Sequence, residues 1–87
     1  MKVYFTPRAL AEYQYFEQKQ RKLARRIQTS CEDIKKTPFT GLGKPEPLRH
    51  TLSGYWSRRI GQTHRLVYRS EDDKIVIYKC RSHYHDK

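Results

Sequence analysis

Between Thr37 and Pro47 the chain carries Pro38, Gly41, Gly43, Pro45 and Pro47. Regular structure does not survive that density of proline and glycine, so the segment reads as loop. It divides the sequence into halves with different hydrophobic periods. Before it, apolar residues recur every three or four positions; after it, short β-prone runs alternate with turn residues. The pattern predicts an α+β architecture across residues 1–87, read as a single domain: two N-terminal helices packed on a small, largely antiparallel sheet.

Val3, Tyr4 and Phe5 suit a short first strand by propensity. Thr6-Pro7 then reads as an N-cap followed by proline at the first helical position, where its missing N–H costs nothing. Leu10, Tyr13 and Phe16, with Ala9 beside them, form one apolar stripe, and Lys19-Gln20-Arg21-Lys22 interrupts it as a tight helix–helix turn. Leu23, Ile27, Cys31 and Ile34 give a second helix one core-facing side. Lys35 and Lys36 suit its C-terminus, where the helix dipole favours cations, and Pro38 ends it. Strands are expected near Tyr55–Ile60, His64–Arg69 and Lys74–Cys80, joined by Gly61-Gln62 and by Ser70-Glu71-Asp72-Asp73. In the middle strand Leu66 and Tyr68 share one face, and Arg65, Val67 and Arg69 the other. The helices should cover the Leu66 face and leave an arginine-bearing face open to solvent.

Lys and Arg total 19 against 9 Asp and Glu, a net charge of +10. A small domain this basic meets nucleic acid as its commonest polyanion. The aromatic content of 13% argues against a disordered chain. No apolar run approaches the ~18–20 residues that span a bilayer, and the N-terminus lacks a signal peptide's apolar stretch, so a cytoplasmic protein is expected. Cys31 and Cys80 lie far apart with no Cys/His ligand spacing, so neither zinc nor another metal is expected. The two cysteines are compatible with free thiols or with one disulfide, and thiols in a reducing compartment are the simpler reading.

RNA carries its own nucleophile, the 2′-hydroxyl, so it can be cut without metal. A base must take the 2′-proton, an acid must protonate the leaving 5′-oxygen, and a cation must stabilise charge on the phosphoryl oxygens. Glu46, His83 and Arg65 are candidates for these roles in that order. Glu46 is held between two prolines, which restrict its backbone. Arg65 sits on a strand with a donor fork that matches phosphate. His83 follows the last strand, and an unperturbed imidazole titrates near neutrality. Each residue alone has an ordinary reading: a solvated loop glutamate, a strand arginine paired with Glu71 or Asp72, a histidine near a chain end.

The segment Gly43-Lys44-Pro45-Glu46-Pro47-Leu48 through Ser57-Arg58-Arg59-Ile60, with His64-Arg65-Leu66-Val67-Tyr68 and His83-Tyr84, closely resembles the YoeB (Txe/YoeB) toxins of bacterial type II toxin–antitoxin systems. These belong to the RelE-like group, whose fold is similar to microbial ribonucleases. The resemblance implies an endoribonuclease that cuts mRNA in the A site of the 70S ribosome without a cofactor, leaving a 2′,3′-cyclic phosphate and a 5′-hydroxyl. By position, Glu46 resembles the family's general base, His83 its general acid and Arg65 its transition-state arginine. Tyr84 matches the tyrosine that shapes the site. Lys44, Arg58 and Arg59 correspond to residues that hold RNA. The chain continues past that tyrosine with His85-Asp86-Lys87, which makes His85 a rival acid. The resemblance further implies an antitoxin partner and allows a homodimer. An acidic, partly disordered antitoxin segment would fold over the basic face.

Lys19, Arg21, Lys22, Arg25 and Arg26 are a second candidate patch for ribosomal RNA, gripping phosphates without sequence preference. Trp56 and Tyr55 could stack on bases, but packing is the better reading of Trp56; His50 and His64 read as structural or solvated, and Cys31 as a buried small hydrophobe. Two rival functions remain: a ribosome-binding translation blocker that does not cut, and a DNA-binding repressor. The Lys19–Lys22 junction lacks the glycine turn of a helix-turn-helix, so DNA contact is expected only through the antitoxin.

Overall fold

Thr6 and Pro7 open the first helix as the sequence predicts. In the computed structural model, which describes residues 1–81, the Thr6 side chain accepts from the Ala9 N–H at 3.1 Å with Pro7 behind it. The same hydroxyl donates to the Tyr78 carbonyl at 2.8 Å, tying the helix start to the last strand. The elements run β1 (Lys2–Phe5), α1 (Pro7–Lys19), α2 (Arg21–Lys36), β2 (Glu46–Pro47), a 3-10 turn (His50–Leu52), β3 (Trp56–Arg59), β4 (Arg65–Glu71) and β5 (Lys74–Lys79). The five-stranded sheet has the order β1-β5-β4-β3-β2, with β1 parallel to β5 and every other pair antiparallel.

The helix junction is tighter than the four-residue turn expected. Gln20 alone separates α1 from α2: its N–H caps α1 on the Phe16 carbonyl, and its own carbonyl accepts from Leu23 and Ala24. The loop after α2 is also shorter than predicted, because Glu46 and Pro47 pair with Ser57 and Trp56. Proline is tolerated there because β2 is the sheet edge, where a missing N–H breaks no ladder.

Both helices lie on the Leu66 side. Ala24, Ile27, Cys31 and Ile34 of α2 and Ala9 and Phe16 of α1 meet Leu66, Tyr68, Ile75 and Ile77 in one core. Each fully buried isoleucine contributes about 1.5–3 kcal/mol. Leu10 departs from its expected stripe and is 45% exposed, because α1 buries the line through Ala9, Tyr13 and Phe16. Trp56 packs against this core and on Phe39, with ring centroids 4.7 Å apart. His64 meets the Phe16 ring edge-on. Among the described residues, no helix is long and apolar enough to cross a membrane.

The other face is less open than expected. Glu46, Ser57, Val67 and Lys79 form a row across four strands, yet Ser57, Val67 and Lys79 are buried, while Arg59 and Arg69 are exposed. One cause is Arg65, whose side chain folds back across Ser57. A bulge shapes the row's far end: Tyr68 pairs with Ile77 but Val67 pairs with Lys79, leaving Tyr78 as an extra residue in β5. Strict alternation would send Lys79 to the side of Ile75 and Ile77. The bulge re-aims it, and Tyr78 and Lys79 line one groove with Glu46.

Candidate active site

Glu46 and Arg65 meet on the face away from the helices. Arg65 Nη2 lies 3.3 Å from Glu46 Oε1; the Arg65 side chain is 11% exposed and that of Glu46 51%. Arg65 Nε donates to Ser57 Oγ, and Nη2 lies 3.5 Å from the Ser57 carbonyl oxygen. The guanidinium is therefore held from behind by β3 with its fork aimed at the carboxylate. Its acid is Glu46, not Glu71 or Asp72; Glu71 pairs with Arg69 and Lys74.

The two residues of the pair line two different grooves. One is lined by Glu46, Arg49, His50, Arg8, Tyr78 and Lys79 among others. The second is lined by Arg26, Lys44, Arg59 and Arg65, with Thr29, Ser30 and Gln62, and its described lining holds no carboxylate. Arg26 reaches this groove by resting Nη1 on the Ile60 carbonyl at 3.3 Å. Lys19, Arg21, Lys22 and Arg25 are exposed but line neither groove, so the expected helix patch divides. Arg8, Arg49, Ser57 and Lys79 join the candidate set without having been expected. For Ser57 the signal was alternation from Arg59; for Lys79 it was absent, since the bulge decides its side.

Arg58 departs most from expectation. It pairs with Leu66, faces the helices and is 0% exposed, so it is not available to hold RNA. Arginine has five N–H donors, and here each has an acceptor. Nε donates to Tyr68 Oη at 3.0 Å. Nη1 donates to Asp33 Oδ2 at 2.6 Å and to the Leu42 carbonyl at 3.1 Å. Nη2 donates to the carbonyls of Thr37 at 2.5 Å and Thr40 at 2.7 Å. The hydrogen bond from Arg58, reinforced by the Leu42 N–H, holds the Asp33 carboxyl below the usual carboxylate range. Burial pushes the Tyr68 phenol up, and its hydroxyl donates to the Pro38 carbonyl at 2.6 Å.

Cys31 and Cys80 are free and buried, and burial pushes both thiols up to about 12. The Cys80 N–H donates to Glu12 Oε1 at 2.8 Å, which fixes where the chain leaves β5. His83, Tyr84 and His85 lie outside the described residues.

Two helices on one side of a five-stranded mixed sheet, with the acid–arginine pair on the other, make the fold that of the RelE-like toxins. The model of the YoeB-like toxin of bacterial type II toxin–antitoxin systems matches residues 5–84. Toxin YoeB of Streptomyces coelicolor is 49% identical over 84 residues, covering 97% of this chain and 100% of that protein. Toxin YoeB of Escherichia coli K12 is 44% identical with the same coverage. Among solved structures, the YoeB/ParE toxin from Agrobacterium tumefaciens superimposes with a TM-score of 0.92 at 40% identity, covering 97% of this chain and 100% of that one. A YoeB dimer and a YoeB–YefM complex from Staphylococcus aureus give 0.90 and 0.89, each at 40% identity and covering 97% of this chain and 98% of theirs. The chain belongs to the YoeB-like toxin family of bacterial type II toxin–antitoxin systems.

Proposed function

We propose that this toxin is a ribosome-dependent endoribonuclease that cuts mRNA in the ribosomal A site and so stops translation in the cytoplasm. The observation that carries the reading is the Glu46–Arg65 pair, 3.3 Å apart, with one partner lining each of two basic grooves. A phosphodiester strand laid along both grooves would pass over the pair. Glu46, half exposed, takes the 2′-proton. Arg65, braced on Ser57, places positive charge against the phosphoryl oxygens as they gain negative charge. His83 protonates the leaving 5′-oxygen and Tyr84 shapes its surroundings, as the family pattern implies. In-line displacement by the 2′-oxygen leaves a 2′,3′-cyclic phosphate and a 5′-hydroxyl, and the scheme needs no metal. Lys44, Arg59 and Arg26 hold the RNA along the second groove, while Lys19, Arg21, Lys22 and Arg25 face ribosomal RNA.

An antitoxin related to YefM is the proposed partner, as in the staphylococcal complex. An acidic segment folding over the grooves would neutralise the cations that the RNA requires. Self-association is supported by the staphylococcal dimer. The test is cleavage of a defined mRNA on purified 70S ribosomes with analysis of the product ends. One cut in the A-site codon with a cyclic phosphate is expected, lost in Glu46→Ala and His83→Ala. Firm ribosome binding without any cut would replace this reading with that of a translation blocker.

A further inference from the structure

We propose that Arg58 is a positioning residue of this toxin: from behind the sheet it fixes the 37–44 loop in the shape that delivers Lys44 and Glu46 to Arg65. The inference rests on the functional reading above but concerns a residue that cannot touch RNA. Arg58 is fully buried, and all five of its donors are taken within the protein.

Besides Arg58, the loop is held by Thr37 Oγ1 near the Asp33 and Thr40 carbonyls, by the Leu42 N–H on Asp33 Oδ2 and by Phe39 against Trp56. It forms no regular element, and its large apolar side chains, Phe39 and Leu42, are 50% and 51% exposed. Its polar backbone turns inward instead. The carbonyls of Thr37, Thr40 and Leu42 accept from Arg58, and that of Pro38 accepts from Tyr68, itself bonded to Arg58. A loop normally satisfies its carbonyls with water. This one closes around a single guanidinium, and Asp33 balances the charge.

The geometry then passes to the site in two short steps. The neighbour of Arg58 on one side, Ser57, braces Arg65 and pairs with Glu46. On the other side the Arg59 N–H donates to the Gly43 carbonyl at 2.8 Å. Lys44, at φ 51°, turns the chain through the left-handed region, and Pro45 leads into Glu46. Close approach is built in as well: a Cβ on Gly41 would collide with Asp33 Oδ2, and one on Gly43 would lie 2.6 Å from the Arg59 carbonyl oxygen. With its interior carbonyls released, the loop would lose the fixed path that places Glu46 beside Arg65.

Tyr68→Phe and Asp33→Asn each weaken the clamp while Arg58 stays in place, and Arg58→Lys keeps the charge but loses the fork. Ile27→Val, in the core, serves as a stability control. All are assayed on programmed ribosomes well below their unfolding temperatures. Turnover should fall about tenfold in the clamp variants with a smaller rise in KM, because the loop that places Glu46 also carries Lys44. Trp56, the only tryptophan, touches Phe39, so its emission should shift as the loop lifts. Amide exchange at Leu42 should quicken, and Ile27→Val should change neither rate nor emission. A shifted emission with undiminished turnover overturns the proposal, as does a raised KM at constant turnover or an equal loss in the control. If Arg58→Lys fails to fold, the other two variants decide. A wild-type chain that does not cut overturns the functional reading, and the positioning role with it. The wild-type lane identifies that failure by itself.

Discussion

Ser57, Arg58 and Arg59 are consecutive, yet they serve two differently built regions. Behind the sheet, Arg58 is fully buried with an acceptor for every donor. In front, Arg65 is braced on one side by Ser57 and faces a half-exposed carboxylate, while Arg59 lines a groove with three other cations. An arginine's surroundings decide its task. Saturated and buried, it organises the backbone; supported from one side at a groove, it can receive a phosphate.

The comparison predicts that damage in front costs activity and damage behind costs stability first. Glu46→Ala should lower cleavage by about 10²–10⁴-fold, the range for removing a general base, with a stability change within about 0.5 kcal/mol, measured by urea denaturation. Arg58→Met should destabilise the fold by about 3–5 kcal/mol, because it strands Asp33 and the inward carbonyls; thermal unfolding reads this directly. Gly41→Ala should cost roughly 1–3 kcal/mol, since its φ of 106° and the approach of Asp33 both oppose a side chain.

Acid should single out the rear region. The folded-state pKa of Asp33 lies below its unfolded value, so its contribution is fully present above about pH 4 and is lost as pH falls through the folded pKa. Acid unfolding curves should therefore be steeper for wild type than for Asp33→Asn below about pH 4. The smallest effect is a null one. With both thiols pushed up to about 12, neither Cys31 nor Cys80 should react with iodoacetamide at pH 8 in the folded protein, as intact mass would report. Rapid labelling of either would mean that the core opens easily.

Much of this division was open to a reading of the residues. The period of Ile27, Cys31 and Ile34 specified the buried side of α2, and Leu66 and Tyr68 the covered side of the sheet, because burial repeats with the backbone. Two adjacent strand arginines cannot share a face, so one of Arg58 and Arg59 had to point inward. What alternation could not say was which, since that depends on pairing with Leu66 and on acceptors from a loop more than fifteen residues upstream. Lys79 was hidden for another reason: a bulge one residue long reverses its side and leaves no mark in composition. The Glu46–Pro47 strand was masked by a proline that only an edge position tolerates. Of the site itself, the roles of Glu46 and Arg65 came mostly from family resemblance, and their pairing was not read, because residues so far apart in sequence meet only through the sheet.

The place of β5 in the sheet order has a consequence for synthesis. Among the described residues it is the only strand that joins β1 to the β4-β3-β2 ladder. Its partners on the β1 side are separated from it by 72 residues: Val3 sits beside Ile75 and Thr6 bonds to Tyr78. Such distant pairings come late in folding, after loop closure has been overcome. A growing chain that has not yet reached Ile77 therefore lacks the strand that joins β1 to the rest of the sheet. The sheet takes its final shape only when the ribosome has delivered β5.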